Sequence, residues 1–252
     1  MSISTTQART TADNVADVMA VESQDPDQIT LPPSLSSFRD KPSLNNDPLP
    51  GDPSGGVDAL GVKVPLDEEL QLAKQVLDGA PTNCTPLEVA SYFWAVGEGN
   101  YGSELKPYVA AWPERWNPVI VEFFKSTHTR PEGDTTAWCA AFIGFCLLRG
   151  AIGRSSPVSP TAPTKSARAR SYEDWGATTT APQLGDLVVF QNLKSGGGHV
   201  AFFLADQGDK VLVLGGNQLN GEPARHSINK KSYTKNGAVL KVLGYRTDPQ
   251  LH

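Results

Sequence analysis

Cys139, His199 and Asn217 are the side chains of this 252-residue chain whose types and setting could support nucleophilic catalysis. Cys139 stands at the head of an apolar segment that predicts a helix, and free backbone N–H groups at a helix start favour a thiolate. His199 opens a β-rich run, and an imidazole that titrates near neutrality can take the thiol proton and pass it to a leaving amine. The pair predicts a cysteine hydrolase, with a histidine buried and satisfied within a strand as the structural alternative.

Hairpin geometry predicts how Asn217 would reach the histidine. If the runs 199–204 and 210–215 pair through a turn near residues 207–209, His199 faces Gly215 and Asn217 is its diagonal neighbour, about 7–8 Å away between backbones. An amide oxygen there would hold the imidazole in the tautomer whose other nitrogen faces the sulfur. This prediction depends on the register, since a shift of one residue moves a side chain to the other face. The alternative is that residues 215–218 are simply a turn.

The other cysteines and histidines are weaker candidates for the nucleophile and the base. Cys84 also precedes a helix and is the alternative nucleophile, although a cysteine beside a helix cap is more often structural. Cys146 follows among apolar side chains and is predicted to be a small buried hydrophobe. Of the remaining histidines, His128 falls in a polar loop, His226 in an irregular basic stretch, and His252 is the last residue.

Aromatic and glycine residues near the predicted triad are the candidates for contact with a substrate. Trp138 immediately precedes the nucleophile. Tyr172 and Trp175 lie in the mixed basic and aromatic segment 166–175, which could line a cleft for a carboxylate-bearing peptide or glycan, or form an ordinary solvated helix. Gly198 ends a run of three glycines that lets the backbone approach a substrate closely, and a loose hairpin loop would use the same residues.

Helices are predicted first along the chain and strands after them, which indicates an α+β domain. Apolar spacing and stop signals predict helices from Leu66 to a stop at Gly79, from the capping box at 85–88, over 117–124, and from 134–136 to about Leu148 with Gly150 as the stop. Four β-rich runs follow at residues 186–190, 199–204, 210–214 and 238–245. Asp186 is predicted to be structural, in the turn that opens the first of these runs.

Composition divides the chain near residue 65. Residues 1–65 contain eight prolines and a single aromatic residue, so they are predicted to form a disordered or extended arm that serves as a tail, a linker or a docking signal, and residues 66–252 one globular domain. The arm also holds the whole net charge of −5, with four basic and nine acidic side chains. The remainder is neutral, which argues against a nucleic-acid partner.

The sequence does not predict a membrane protein, a disulfide-linked scaffold or a metalloprotein. No apolar run approaches the roughly 18 residues of a membrane span. Three cysteines without a CxxC pair or a Cys/His cluster predict neither a disulfide framework nor a structural zinc, and no cofactor or metal is expected.

Taken together, these motifs resemble those of the CHAP and NlpC-type cysteine peptidases, which cut peptidoglycan. The resemblance rests on residues 138–142 around the cysteine, on Ser166-Ala167 followed by Trp175, on residues 182–190, and on Gly198-His199-Val200. It implies a papain-like α+β core, in which the helix of the cysteine packs on an antiparallel sheet that carries the histidine. Many CHAP members have Glu-x-Asn at the third site; here Gly215 replaces the glutamate, which leaves the orienting role to Asn217.

The resemblance implies hydrolysis of an amide bond in the peptidoglycan stem peptide, by muramoyl-alanine amidase or endopeptidase activity. The start of the chain lacks the pattern of a signal peptide, so we expect synthesis in the cytoplasm and delivery to the periplasm or cell wall of a target cell. A type VI secretion effector with an immunity protein and a contact to the secretion apparatus is the favoured context, and a phage lysin is the alternative. A deamidase or transacylase acting on a protein, and an inactive wall-binding module, are the other classes.

Overall fold

The computed structural model describes residues 63–131, 133–155, 160–221 and 225–252. The predicted arm lies outside the described residues up to residue 62. Residues 63–65 belong to the domain rather than to the arm, because the backbone of Lys63 bonds to that of Glu114 and Trp116 and Pro65 is buried. The domain therefore extends at least three residues further than the predicted boundary.

Four α-helices form the first half of the described chain: α1 (Asp67–Gly79), α2 (Pro86–Glu98), α3 (Pro118–Phe123) and α4 (Cys139–Ala151). The predicted capping box starts α2, where the Thr85 hydroxyl accepts from the Glu88 backbone N–H and the Glu88 carboxylate accepts from the Thr85 N–H at 2.7 Å. Asn117 caps α3 in the same way, through Val119 N–H at 2.9 Å. Local sequence signals thus determine where these helices begin.

Helix α4 differs from the prediction at both ends. A short 3-10 turn occupies Gly133–Thr135, and α4 begins only at Cys139, after Trp138 with φ −118° and ψ 9°. Gly150 lies inside the helix instead of stopping it. A Cβ at that position would lie 2.7 Å from the carbonyl oxygen of Cys84, so the glycine allows the segment before α2 to approach α4.

The second half of the chain forms one antiparallel sheet. Its strands are β1 (Ala177–Thr179), β2 (Leu187–Asn192), β3 (Gly198–Gln207), β4 (Lys210–Asn220), β5 (Arg225–Thr234) and β6 (Leu240–Thr247), in the spatial order β1-β6-β2-β3-β4-β5. The α+β prediction is confirmed, but β1 and β5 are not among the predicted strands. Strand β5 contains few apolar residues and includes His226, so the irregular conformation expected for this stretch is wrong.

Both faces of the central strands β2, β3 and β4 are buried, which explains why these strands are almost continuously apolar. On β3, Val200, Phe202 and Leu204 face the helices and join the main core. Ala201 and Phe203 face the opposite side and pack in a second apolar cluster with residues of β2 and β4. Helix α4 packs against β3 and β4 on the first face. None of the described helices has the length and apolar character to cross a bilayer.

The pairing of β3 with β4 differs from the predicted register. Gln207 pairs with Lys210, a bulge follows between Phe203 and Ala205, and the ladder ends at Phe202 opposite Leu214. A Cβ on Gly215 would lie 2.8 Å from that of Ala201, so Gly215 faces Ala201 and not His199. The two-residue turn and the bulge are the physical causes of this difference, because each changes which residues oppose one another.

Candidate active site

Cys139 is the first residue of α4, as the sequence predicted for a nucleophile at a helix start. Burial raises the pKa of its thiol, while backbone N–H groups of Val200, Ala140 and Cys139 itself stabilise the sulfur and lower that pKa. Val200 directly follows His199, so the sulfur lies against the backbone of β3 beside the histidine. The thiol is therefore surrounded by hydrogen-bond donors but shielded from water.

The end of the β3–β4 ladder explains how the helix reaches this point. Beyond Phe202 and Leu214 the two strands are no longer paired, which leaves the backbone of β3 open on its β4 side. The start of α4 fills the gap, with the indole of Trp138 lying against Gly216 so closely that a Cβ there would overlap the ring. Glycine at position 216 is thus required for the nucleophile to approach the sheet.

His199 is buried near the start of β3, with only 6% of its surface exposed. Its ring lies 5.8 Å from that of Phe190 and 5.7 Å from that of Tyr233, measured between centroids. Desolvation lowers the pKa of the imidazole to about 4, the positive charges of Lys231 and His226 lower it further, and a hydrogen bond to Gln218 opposes them. The imidazole is therefore neutral at physiological pH.

Gln218 provides that hydrogen bond, through its side-chain oxygen Oε1 at 3.1 Å from His199 Nε2. The amide nitrogen of Gln218 donates to the backbone carbonyls of Gly215, at 3.2 Å, and Asn229. The Asn229 amide in turn donates to the Gln218 carbonyl at 2.9 Å. Because carbonyl oxygens only accept hydrogen bonds, this network fixes which end of the Gln218 amide faces the histidine.

The tautomer of His199 follows from this network. An amide oxygen has no hydrogen to donate, so Nε2 of the neutral imidazole must carry the proton that Gln218 accepts. Nδ1 is then the nitrogen with a free lone pair, and it is the atom that can act as a base. The orientation that the sequence analysis expected from an amide is thus present, but a different residue supplies it.

Asn217 does not occupy the position that was predicted for it. The pairing of β4 with β5 is interrupted by a bulge between Gly215 and Gln218, and Asn217 sits in this bulge with φ +61°. Its backbone carbonyl contacts Nδ1 of His226 at 3.1 Å. The bulge turns the next side chain, that of Gln218, toward His199. The assignment of Asn217 as the orienting residue therefore gives way to Gln218 on geometric grounds.

The predicted substrate contacts are mostly core residues. Trp138, Tyr172 and Trp175 are each no more than 3% exposed, and the Trp175 indole donates to the Ala162 carbonyl at 3.0 Å. Such side chains pack in the core and stabilise the site, and they are too buried to contact a substrate. Gly198 is half-buried, and a Cβ there would overlap the carbonyl of Phe190, so this glycine allows β2 and β3 to pair closely.

The rival site residues lie elsewhere. Cys84 is half-buried and its backbone N–H bonds to the Gly150 carbonyl, at the other end of α4 from Cys139. Cys146 is fully buried, as predicted, and burial raises the pKa of its thiol. Asp186 is also buried and accepts from the backbone of Gln183 at 2.8 Å, which agrees with its predicted structural role; its other oxygen contacts His252 at 2.9 Å.

Asp134 is a buried carboxylate in the turn before α4, and its structural role was not predicted from the sequence. Its buried carboxylate accepts from the backbone N–H groups of Trp112 and Asn117, at 2.8 and 2.9 Å, and so ties the loop before α3 to the turn before Cys139. Burial raises its pKa to about 6. No sequence signal distinguishes this aspartate from the others. Within the described ranges, no three His, Cys, Asp or Glu side chains come together as a possible metal site.

Comparison with known families agrees with the resemblance deduced from the motifs. Residues 131–217 match the family model of the CHAP domain. The matched segment contains Cys139 and His199 and ends one residue before Gln218. CHAP domains are typically hydrolases that act on peptidoglycan. No curated protein and no solved structure matches the chain.

Proposed function

We propose that this chain, whose residues 131–217 match the family model of the CHAP domain, is a cysteine peptidoglycan hydrolase that cleaves an amide bond of the stem peptide. Cys139 is the nucleophile, His199 the general base and acid, and Gln218 the residue that orients the imidazole. The core is papain-like, with the nucleophile helix packed on the strand that carries the histidine. The observation that carries the proposal is the locked Gln218 amide, which leaves Nδ1 of His199 as the base beside the backbone that holds the Cys139 sulfur.

The chemistry follows from these positions. Nδ1 of His199 takes the thiol proton, and the sulfur of Cys139 attacks the carbonyl carbon of the stem-peptide amide. Backbone N–H groups at the start of α4 lie beside the sulfur, where they can stabilise the negative charge of the tetrahedral intermediate. The imidazolium then protonates the leaving amine. Water hydrolyses the resulting thioester, with His199 as the base again.

Mass spectrometry of fragments released from purified sacculi tests this proposal. Wild-type protein is expected to release fragments with one new amine and one new carboxyl group at a single type of bond, and the position of that bond separates amidase from endopeptidase activity. Cys139→Ala should release nothing, whereas the matched variant Cys84→Ala should behave as wild type. Release of ammonia from a protein glutamine, with intact sacculi, would instead indicate a deamidase.

We further propose that the enzyme acts as an antibacterial effector on the wall of another cell, with an immunity protein in the producer. The substrate supports this context, because stem peptides lie outside the cytoplasm. Expression with an added periplasmic export signal should lyse a Gram-negative host, while expression without it should be harmless. Equal harmlessness in both compartments, in a strain that makes folded protein, would argue against the effector role.

A further inference from the structure

Strand β5 places two basic side chains on either side of the residue that orients the histidine. Nδ1 of His226 faces the backbone carbonyl of Asn217 at 3.1 Å, and Nζ of Lys231 donates to the carbonyl of Leu219 at 2.8 Å. These two carbonyls flank Gln218. Two basic side chains therefore lie at the edge of the candidate active site, along an edge strand of the sheet.

Lys231 lies on the same face of the sheet as His199. Its Nζ is 5.7 Å from the centroid of the Tyr233 ring, and that ring is 5.7 Å from the ring of His199. The ammonium is therefore at most about 11 Å from the imidazole, with one aromatic ring between them. The charge is close enough to disfavour protonation of His199, and it is among the causes that lower the pKa of this histidine.

Lys231 also forms no ion pair with any of the described residues. By contrast, Lys235 on the same segment pairs with Asp206 at 2.6 Å, and Lys230, on the opposite face, packs over the ring of Trp94 at 3.8 Å. Lys231 is half-buried, and only one of its three N–H donors goes to the Leu219 carbonyl. Its other two N–H donors make no hydrogen bond to a described residue, so a carboxylate bound beside Nζ would accept a charge-assisted hydrogen bond there.

We propose that Lys231 is a recognition residue for a carboxylate of an acidic peptide bound in the active-site cleft. This inference rests on the proposed function for the location of the cleft, and it adds a residue that recognises the substrate. An extended peptide spans about 3.3–3.6 Å per residue. The recognised carboxylate therefore lies within about three residues of the scissile amide.

The first measurement is binding, with the nucleophile removed so that no turnover occurs. A stem peptide with all its carboxylates free and the same peptide with all of them amidated are titrated into Cys139→Ala protein by calorimetry. The free-acid peptide should bind about 10- to 100-fold more tightly than the amidated one. Adding Lys231→Met should remove this preference, Lys231→Arg should retain most of it, and Lys230→Met is the matched control that should keep it in full.

An unchanged preference in Lys231→Met would overturn the proposal. So would an equal loss in Lys231→Met and Lys230→Met, which would indicate only a general effect of positive charge. Equal weakening of both peptides by Lys231→Met would make the lysine structural and would also contradict the proposal. Thermal denaturation of each variant establishes that it is folded. Lysine-dependent binding without cleavage of sacculi by the wild type would refute the proposed hydrolysis and retain the carboxylate site. Cleavage of sacculi by the wild type without any preference for the free-acid peptide would retain the proposed hydrolysis and refute the carboxylate site.

Discussion

At the scale of single residues, the side chain that orients His199 decides the protonation state of the candidate base. Gln218 contacts Nε2 with an oxygen whose orientation is fixed by two backbone carbonyls on the other side of the amide. Asn217, one position earlier, lies in a bulge with its backbone in the left-handed region. The two neighbouring amides therefore have separable roles, which mutation can distinguish.

We expect Gln218→Ala to lower kcat on the order of 10- to 1000-fold, because the imidazole loses the group that holds its tautomer. KM should change much less. Asn217→Gly is the matched variant, since glycine accepts φ +61° without strain, and it should stay within about 3-fold of wild type. Steady-state kinetics on a soluble stem peptide measure both. A large loss in Asn217→Gly with little in Gln218→Ala would restore Asn217 as the orienting residue.

The pH dependence should reflect a neutral thiol and imidazole rather than a preformed ion pair. Burial raises the pKa of Cys139 and lowers that of His199 to about 4. Protonation of the base then occurs only as the pH falls toward 4, so the acid limb of kcat/KM should lie clearly below the 6.5 of a free histidine. Iodoacetamide alkylation of Cys139, measured in Cys84→Ala protein between pH 4 and 9, should become steadily faster with rising pH. A rate independent of pH between 5 and 8 would indicate an ion pair instead.

At the scale of elements, the site depends on a gap between two strands that a helix start fills. The β3–β4 ladder ends at Phe202 and Leu214, and Trp138 packs against the backbone of Gly216 in the space beyond it. The bulge in β4 then directs the side chain of Gln218 toward His199 on β3. Small changes in this gap should therefore affect catalysis more strongly than their size suggests.

Gly216→Ala should move Trp138 and the adjoining Cys139, because the added methyl group would overlap the indole. We expect activity to fall at least 10-fold and stability to fall by about 1–3 kcal/mol, as for overpacking of a core. Gly244→Ala in β6 is the control, since a Cβ there meets no atom within 4 Å. Urea denaturation and peptide kinetics test both variants. Full activity in Gly216→Ala would show that the helix start tolerates displacement.

At the scale of the whole molecule, the folded domain begins no later than Lys63. The backbone of Lys63 bonds to Glu114 at 3.1 Å and to Trp116 at 2.9 Å, and so anchors the segment before α1 to the segment before α3. The composition of residues 1–62 predicts that they contribute no core. Folding and catalysis should therefore not require residues 1–62.

A chain that begins at Lys63 should retain the melting temperature and the rate on sacculi of the full-length protein. A chain that begins at Leu66 loses both backbone bonds of Lys63, and we expect its free energy of unfolding to fall by about 1–3 kcal/mol. Differential scanning calorimetry compares the three lengths. Loss of folding in the chain that begins at Lys63 would show that residues 1–62 pack into the domain.

Local patterns in the sequence determined several helix starts and strands of this protein and the positions of two candidate site residues. The capping box of α2, the proline and asparagine at the start of α3, and the apolar runs of β2 and β3 act over a few residues, so they could be recognised without the fold. Cys139 at a helix start and His199 at a strand start are of the same kind. The order of helices and strands then predicted an α+β domain, and the motifs predicted the similarity to the CHAP family that residues 131–217 show.

Which side chains meet depends on the packing of strands and helices that are distant in the chain. The bulges in β3–β4 and β4–β5 change the register, and they replace Asn217 by Gln218 beside His199. Strand β5 has no alternating apolar pattern, because it lies at the sheet edge, so neither it nor Lys231 could be placed from sequence. Burial likewise made Trp138 a core residue rather than a substrate contact. Register and burial depend on contacts between segments far apart in the chain, and no short stretch of sequence specifies them.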